Sequence, residues 1–333
     1  MQTLSSTDNA VLNMYNCLLN HPEVKSRLAH GEDVNLLIGF DESHYKIAKD
    51  IYKSTPAECV FFRKRIVSLN HLDSSLLISE IEKCDIFIFL YQSSTLASIS
   101  SNGPSFLKPI KKTMQENWKK SILFKDYGVH FYEAFSEPRE NIAARNSSII
   151  DIAVKSKTIS FIQDEKHHIT TSISSSQKWT SIDGGGNLDI TPGEIATHID
   201  TIDGKLMFSG TFLSTIPFAI KYGVVSNLFT LNIEKSVITC FSCKNKMFSH
   251  DFDKYLSENP SNSKIEEFGI GTNCGVSRLY GINAGFEERH PGLHLGLGGG
   301  AIGSHHLDLI FEGGDIFFDK NRVVHANKFV LKC

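Results

Sequence analysis

The stretch from Ile265 to Phe311 constrains this chain more than any other part of it. Glu266, Glu267, Glu287, Glu288, His290, His294, His305, His306 and Asp308 fall there, among glycines and short apolar alternations such as Leu293, Leu295 and Leu297. Period-two apolar spacing broken by glycine is the pattern of short strands joined by tight turns, with polar side chains projecting at fixed points. Imidazole and carboxylate together form the ligand set of zinc, iron or manganese. The expectation is a metal site carried on β-strands, with the rest of the chain shaping it.

A chain of 333 residues exceeds one compact core, so two domains are expected. In the first half, Val34–Phe40 and Cys84–Tyr91 are unbroken apolar runs, as strands buried on both faces require. Glu58–Phe62 and Ile122–Phe124 are further strand candidates. Residues 8–30, Ser43–Ser54, Leu72–Lys83, the apolar spacing within 103–124, and Phe131–Ser147 read as helices. Strands alternating with helices imply a parallel sheet. The turn after the first strand, Asp41-Glu42-Ser43-His44, has no glycine-rich phosphate loop, so this half reads as a scaffold and not a nucleotide site.

Near residue 150 the pattern changes. Ile149–Val154, Thr158–Gln163, His168–Ser174, Trp179–Ile182, Ile199–Ile202, Lys205–Gly210, Phe229–Ile233, Ser236–Phe241 and Val323–Phe329 are short and rich in β-branched or aromatic residues, as antiparallel strands are. Residues 251–264 read as a short helix and a polar loop. The expected fold class is therefore α/β. A parallel α/β scaffold domain at 1–148 precedes a mainly antiparallel β (α+β) metal-binding, catalytic domain at 149–333.

A net charge of −3 gives no basic footprint for nucleic acid. The N-terminus lacks a basic segment followed by an apolar run, and no stretch is long and apolar enough to span a membrane. The seven cysteines are scattered and odd in number, which argues for reduced thiols and a cytoplasmic location. Cys240 and Cys243 make a lone C-x-x-C, read as two cysteines of a strand and not half a zinc site.

Four segments in order, PGEIATH, IEEFGIGTN, FEERHPGLHLGLG and SHHLDLIF, resemble the metallo-aminopeptidases of the aminopeptidase T/S type (thermophilic leucyl aminopeptidase-like). They also resemble the relatives of those enzymes that include the iron-dependent 2,5-dihydroxypyridine dioxygenase. The resemblance covers residues 188–311. It implies metal ligands at Glu194, Glu267, Glu287, His294, His306 and Asp308, with the three glutamates also in catalytic roles, and it implies a homodimer. One departure stands out. Aminopeptidases of this type carry a tyrosine seven residues after the first histidine, and position 301 here is Ala301. That weakens the peptidase reading while leaving the metal site intact.

The set is also coherent physically. His306 and Asp308 lie two apart, so on a strand both leave one face, and Gly296 after His294 leaves room for close approach. Two histidines and a carboxylate form the facial triad of non-haem iron enzymes. With three glutamates added, the acids suffice for two divalent ions and a bridging nucleophilic water. Two chemistries follow. The main expectation is a hydrolase using Zn, Mn or Co on a small molecule or short peptide. The alternative is a mononuclear Fe(II) oxygenase acting on a small aromatic or peptide-derived metabolite, and a non-catalytic binding scaffold is the second alternative. The third acid favours the hydrolase, and the missing tyrosine favours the oxygenase. Among the other polar residues, His305 reads as packing, His290, Glu266 and Glu288 as solvated, and His198 as a possible orienter of Glu194. His325 reads equally as core or site rim, and Gly298–Gly300 as either a carboxylate cradle or a plain turn.

Overall fold

The computed structural model describes residues 6–54, 56, 59–93, 104–216 and 218–330. Glu58, Gly103 and Cys333, which the sequence reading touches, lie outside these. The chain divides into two compact units. One comprises Met1–Ala143, Ile182–Pro192 and Ala284–Phe286, and the other Ala144–Ser181, Gly193–Asn283 and Glu287–Cys333.

In the first unit, strands β1 (Val34–Phe40), β2 (Phe62–Ser68), β3 (Ile86–Tyr91) and β4 (Ser121–Lys125) form a parallel sheet in the order β2-β1-β3-β4. β3 is buried along its whole length, as its unbroken apolar sequence requires. The expected strand at Glu58–Phe62 begins instead at Phe62 and runs through Arg63, Lys64 and Arg65, whose charges hide it from an apolar-run criterion. The helix expected over residues 8–30 is two, α1 (Ser6–Leu18) and α2 (Pro22–Ala29). Pro22 opens α2 at a position where no N–H is needed, and the His21 side chain caps it by accepting the Glu23 N–H. The remaining helices here are α3 (Tyr45–Lys53), α4 (Ser74–Lys83), α5 (Leu107–Glu116) and α6 (Phe131–Ala134).

The turn after β1 is held by Asp41. Its carboxylate accepts the Gln92 N–H at 2.6 Å, the Ser43 hydroxyl at 2.6 Å, and the His44 N–H and ring Nδ1–H at 3.1 and 2.7 Å. His44 Nε2 accepts the Gly128 N–H at 3.1 Å, which fixes the imidazole as the Nδ1–H tautomer. Burial would raise the Asp41 carboxyl, but the bonds from His44, Ser43 and Gln92 outweigh it and hold it at about 2. A carboxyl depressed on folding stabilises above its unfolded value of 3.8, and that stabilisation is lost as pH falls through about 2. Asp41→Asn is therefore expected to cost about 2 kcal/mol at pH 7. Urea midpoints of parent and variant should converge as pH is lowered from 4 towards 2; a pH-independent gap would show that titration of Asp41 is not its source.

The second unit is built on a curled antiparallel sheet. Its strands, in spatial order, are β17 (Lys328–Phe329), β16 (Asn321–His325), β15 (Asp315–Phe318), β5 (Thr158–Ile162), β6 (His168–Ser172), β9 (Asp203–Ser214), β14 (Leu307–Phe311), β13 (Gly292–Leu297), β12 (Ile265–Gly271), β8 (Glu194–Thr197) and β7 (Thr180–Ile182). β10 (Val225–Glu234) and β11 (Val237–Cys243) extend from β9. The fold class expected from sequence, a parallel α/β portion and a mainly antiparallel β portion, is thus the one observed.

Several assignments need correction. Ile149–Val154 is not a strand, because Arg139–Ala153 forms helix α7. Its inward residues Ile142, Asn146, Ile149 and Ala153 recur at spacings of three and four, and the local run of isoleucines obscures that period. The helix expected over Phe131–Ser147 breaks before α7, at Ser136-Glu137-Pro138. Ile199–Ile202 forms no strand. Past α8 (Phe218–Tyr222), helix α9 (Lys246–Glu258) starts earlier than expected, capped by the Asn245 side chain accepting the Phe248 N–H at 3.1 Å. It drives Phe248 and Phe252 into an aromatic stack with Phe229, at centroid distances of 4.9 and 5.1 Å. Each such pair adds about 0.5–1.5 kcal/mol beyond area burial. This stack backs the sheet whose opposite face carries the polar residues.

Candidate metal centre

Strand pleat and register assemble the site. Residues directly opposite on neighbouring strands share a face. Across β8, β12, β13 and β14 one face reads, row by row, Glu194 opposite Gly271, then Ala196, Gly269 and His294, then Glu267, Gly296 and Asp308. The alternate residues Ile195, Phe268, Ile270, Leu293, Leu295, Leu297, Leu307 and Leu309 point to the other face and join the apolar core. Each row carries at least one glycine, Gly292 joining Gly271 in the first, and it is the missing side chain that lets the polar neighbours converge. A Cβ at Gly269 would lie 1.9 Å from His294 Nε2. One at Gly296 would lie 2.9 Å from Glu267 Cβ, 2.9 Å from His306 Cε1 and 3.2 Å from Asp308 Oδ1.

His294 is fully buried, with Nε2 3.1 Å from Glu194 Oε1 and 3.3 Å from Glu267 Oε1. Glu194, Glu267 and His294 each offer a ligand atom, all within 4.8 Å of one another. Among the described residues His294 Nδ1 has no hydrogen-bond partner. His306 and Asp308 form an adjoining pair, Nε2 to Oδ1 at 2.8 Å, and Gly296 lies between Asp308 and Glu267 in the register. His306 precedes the strand proper, yet still meets Asp308 as their spacing predicts. Exposure grades across the face: the His294, Glu194 and Asp308 side chains are buried, whereas those of Glu267 and His306 are 34% and 42% exposed. The approach from solvent is therefore over Glu267 and His306.

The electrostatics suit a cation. Burial pushes the Glu267 carboxyl up, but the bond to His294 and the charges of His294 and His306 outweigh it and hold it below the usual carboxylate range. Burial lowers His294, and the bond to Glu267 with the charges of Glu267, Glu288 and Asp308 turns the net shift upward. The bond to Asp308, acting against burial, lifts His306 to about 9. Positive charge is thus favoured at both imidazoles, and a divalent ion would supply it by displacing their protons. Two carboxylates, a buried imidazole nitrogen and an adjacent His–Asp pair fit such an ion.

Glu287 lies elsewhere. Its side chain is fully buried, and its carboxylate accepts three successive backbone N–H groups, those of Tyr280 and Gly281 at Oε1 (2.6 and 2.7 Å) and that of Ile282 at Oε2 (3.0 Å). It organises a loop, and the structure does not bring it to the other five. The sequence reading also missed Arg289. Its guanidinium, 3% exposed, pairs with Glu194 Oε2 and lies 3.0 Å from Glu288 Oε1. The available signal was a basic residue within an acid-rich run immediately ahead of the His294 strand, because a buried guanidinium needs carboxylate partners.

Other expectations change as well. His290 is buried, not solvated, and donates from Nδ1 to the Val276 carbonyl at 2.7 Å. His198 is bound to the Glu266 carbonyl and to Asp200, not to Glu194. His305 is exposed beside Thr215, and His325 pairs with Asp315. Gly298 and Gly299 take positive φ in a turn, and their N–H groups are taken by the Lys264 carbonyl and the Ser304 hydroxyl, so the turn reading holds. Cys240 and Cys243 are free thiols on β11. No helix among the described residues is long and apolar enough to cross a membrane.

Residues 225–318 match the family described as crocagin biosynthetic protein CgnE/B. No curated protein matches the chain. Among solved structures, the chain is similar to 2,5-dihydroxypyridine dioxygenase from Pseudomonas putida KT2440, with a TM-score of 0.60 and 14% identity over 99% of each chain. It is also similar to AmpT from Thermus thermophilus, with a TM-score of 0.58 and 11% identity over 97% of this chain and 99% of that one. At such identities the likeness is one of fold, and it is a distant one.

Proposed function

We propose that this protein is a metal-dependent enzyme acting on a small molecule or short peptide, with a divalent ion held by Glu194, Glu267 and His294 next to His306 and Asp308. The observation that carries the reading is the convergence of two carboxylates and a buried imidazole within 4.8 Å, packed over glycines that have no side chain to hold them apart. In the hydrolytic form of this reading, the ion would polarise a substrate carbonyl and acidify water. Glu267, holding the ion through one oxygen, would accept the proton of the attacking water on the other. Its Oε1 faces His294, its side chain is partly open to solvent, and its carboxyl is held ionised. Glu194, buried and paired, is fixed as an orienting group.

A second reading, an Fe(II)-dependent oxygenase, is favoured by two features: Glu287 is withdrawn from the cluster, and Ala301 stands where the related aminopeptidases have tyrosine. Of the structures the chain resembles, one is a dioxygenase and another is AmpT, and the two are similarly distant from it. Metal content of the anaerobically purified chain separates the readings. Zinc or manganese with oxygen-independent amide cleavage is expected for the hydrolase, and iron with oxygen uptake for the oxygenase. In the hydrolase, Glu267→Gln should lower turnover by about 10²–10⁴-fold with the fold intact. A chain that takes up no metal on reconstitution leaves only the binding scaffold.

A further inference from the structure

We infer that Arg289 is a positioning residue that restricts the centre to a single divalent ion. The inference rests on the metal-centre reading above. Arg289 closes a short turn, Gly285–Arg289, directly ahead of β13. Its guanidinium is almost wholly buried, and it is clamped between Glu194 Oε2 and Glu288 Oε1. Glu194 is thereby divided in two. Oε2 belongs to Arg289, and only Oε1, 3.1 Å from His294 Nε2, faces the ligand cluster.

A two-ion centre needs carboxylates that bridge, one oxygen to each ion, or enough separate acids to neutralise four positive charges. Neither is present. Glu194 cannot bridge while Arg289 holds its outer oxygen, and Glu287 is committed to the Tyr280–Ile282 N–H groups. A second ion on the Glu194 side would sit beside a guanidinium with no solvent to screen it, and like charges repel most strongly where the dielectric is low. The fixed cation of Arg289 therefore stands where a second metal would otherwise balance Glu194. It also holds Glu194 in one rotamer, so the first ion meets a preset oxygen.

The test is metal stoichiometry, read by native mass spectrometry and by competition with a chromophoric chelator, on the full chain titrated with Mn²⁺ and with Zn²⁺. The parent should saturate at one ion per chain. Arg289→Lys, which keeps the charge, should also saturate at one. Arg289→Gln frees Glu194 Oε2 and should admit a second ion, or bind the first at least tenfold more tightly at low salt. Two ions in the parent would overturn the inference, as would an Arg289→Gln protein that matches the parent in both stoichiometry and affinity. The parent's own stoichiometry remains decisive if Arg289→Gln does not fold. No ion in the parent or in either variant would instead bring down the metal-centre reading, and this inference with it.

Discussion

Replacing Glu287 by alanine is expected to destabilise the chain by about 3 kcal/mol while leaving the metal content of the folded protein unchanged. The Glu287 side chain is fully buried, and its two oxygens satisfy three consecutive N–H groups at 2.6–3.0 Å. Hydrogen bonds to an ionised group contribute about 1.5–3 kcal/mol each, and those that share one acceptor do not add fully. Alanine would leave all three donors without their acceptor, partly relieved by water because the 280–282 backbone is only part-buried. Glu287→Gln keeps the shape but points an NH₂ at one of the donors, so an intermediate loss is expected. Chemical denaturation midpoints, with metal content measured on the folded fraction, test this. A Glu287→Ala protein of parental stability that had lost its metal would return Glu287 to the ligand set and refute the loop-organising role.

Glu287 also shows how far the sequence could be read. The spacing of His294, His306 and Asp308 and the apolar alternation around them were legible because a strand has a strict period of two, so spacing alone fixes the face. The same period places Glu267 with Gly269 and Gly271, and Glu194 with Ala196. The one-turn segment ahead of β13 has no such period. Among Glu287, Glu288 and Arg289, which side chain turns toward the cluster depends on turn geometry and on which partners neutralise a buried charge. There the sequence points to an acid, and the structure places Arg289. The helix at Ile149–Ala153 was missed for a related reason: a run of isoleucines is a strand by composition, and the helical period emerges only when Ile142 and Asn146 are seen on the same side. The β2 strand was displaced because its Arg and Lys residues show no apolar run. Parallel-sheet order and the pairing of β12 with both β8 and β13 are long-range facts that no local pattern contains.

Gly269→Ala should abolish metal binding almost as fully as His294→Ala, with at least a 100-fold fall in affinity. Gly269 lies opposite His294 on one side and Ala196 on the other, at the centre of the polar face. Its added Cβ would fall 1.9 Å from Nε2, 2.2 Å from Cε1 and 2.6 Å from Cδ2 of the His294 ring. No heavy atoms approach so closely, so the ring must rotate away or the strands must part. His294 is fully buried with Leu293 and Leu295 on the opposite face of the same strand, and parting the strands would disrupt that core. The cheaper response is a new His294 rotamer, which takes Nε2 away from Glu194 Oε1 and Glu267 Oε1 together. Loss of one ligand position commonly exceeds the 10–100-fold effect of disturbing an outer partner. Gly296→Ala is a graded comparison: its Cβ would meet Glu267 Cβ and His306 Cε1 at 2.9 Å, and His306 is half-exposed and able to yield. The expected order of Mn²⁺ affinity is therefore parent, then Gly296→Ala, then Gly269→Ala and His294→Ala together. Equal affinity for the parent and a folded Gly269→Ala protein would mean that His294 Nε2 is not a ligand, and the centre would have to be rebuilt around His306 and Asp308.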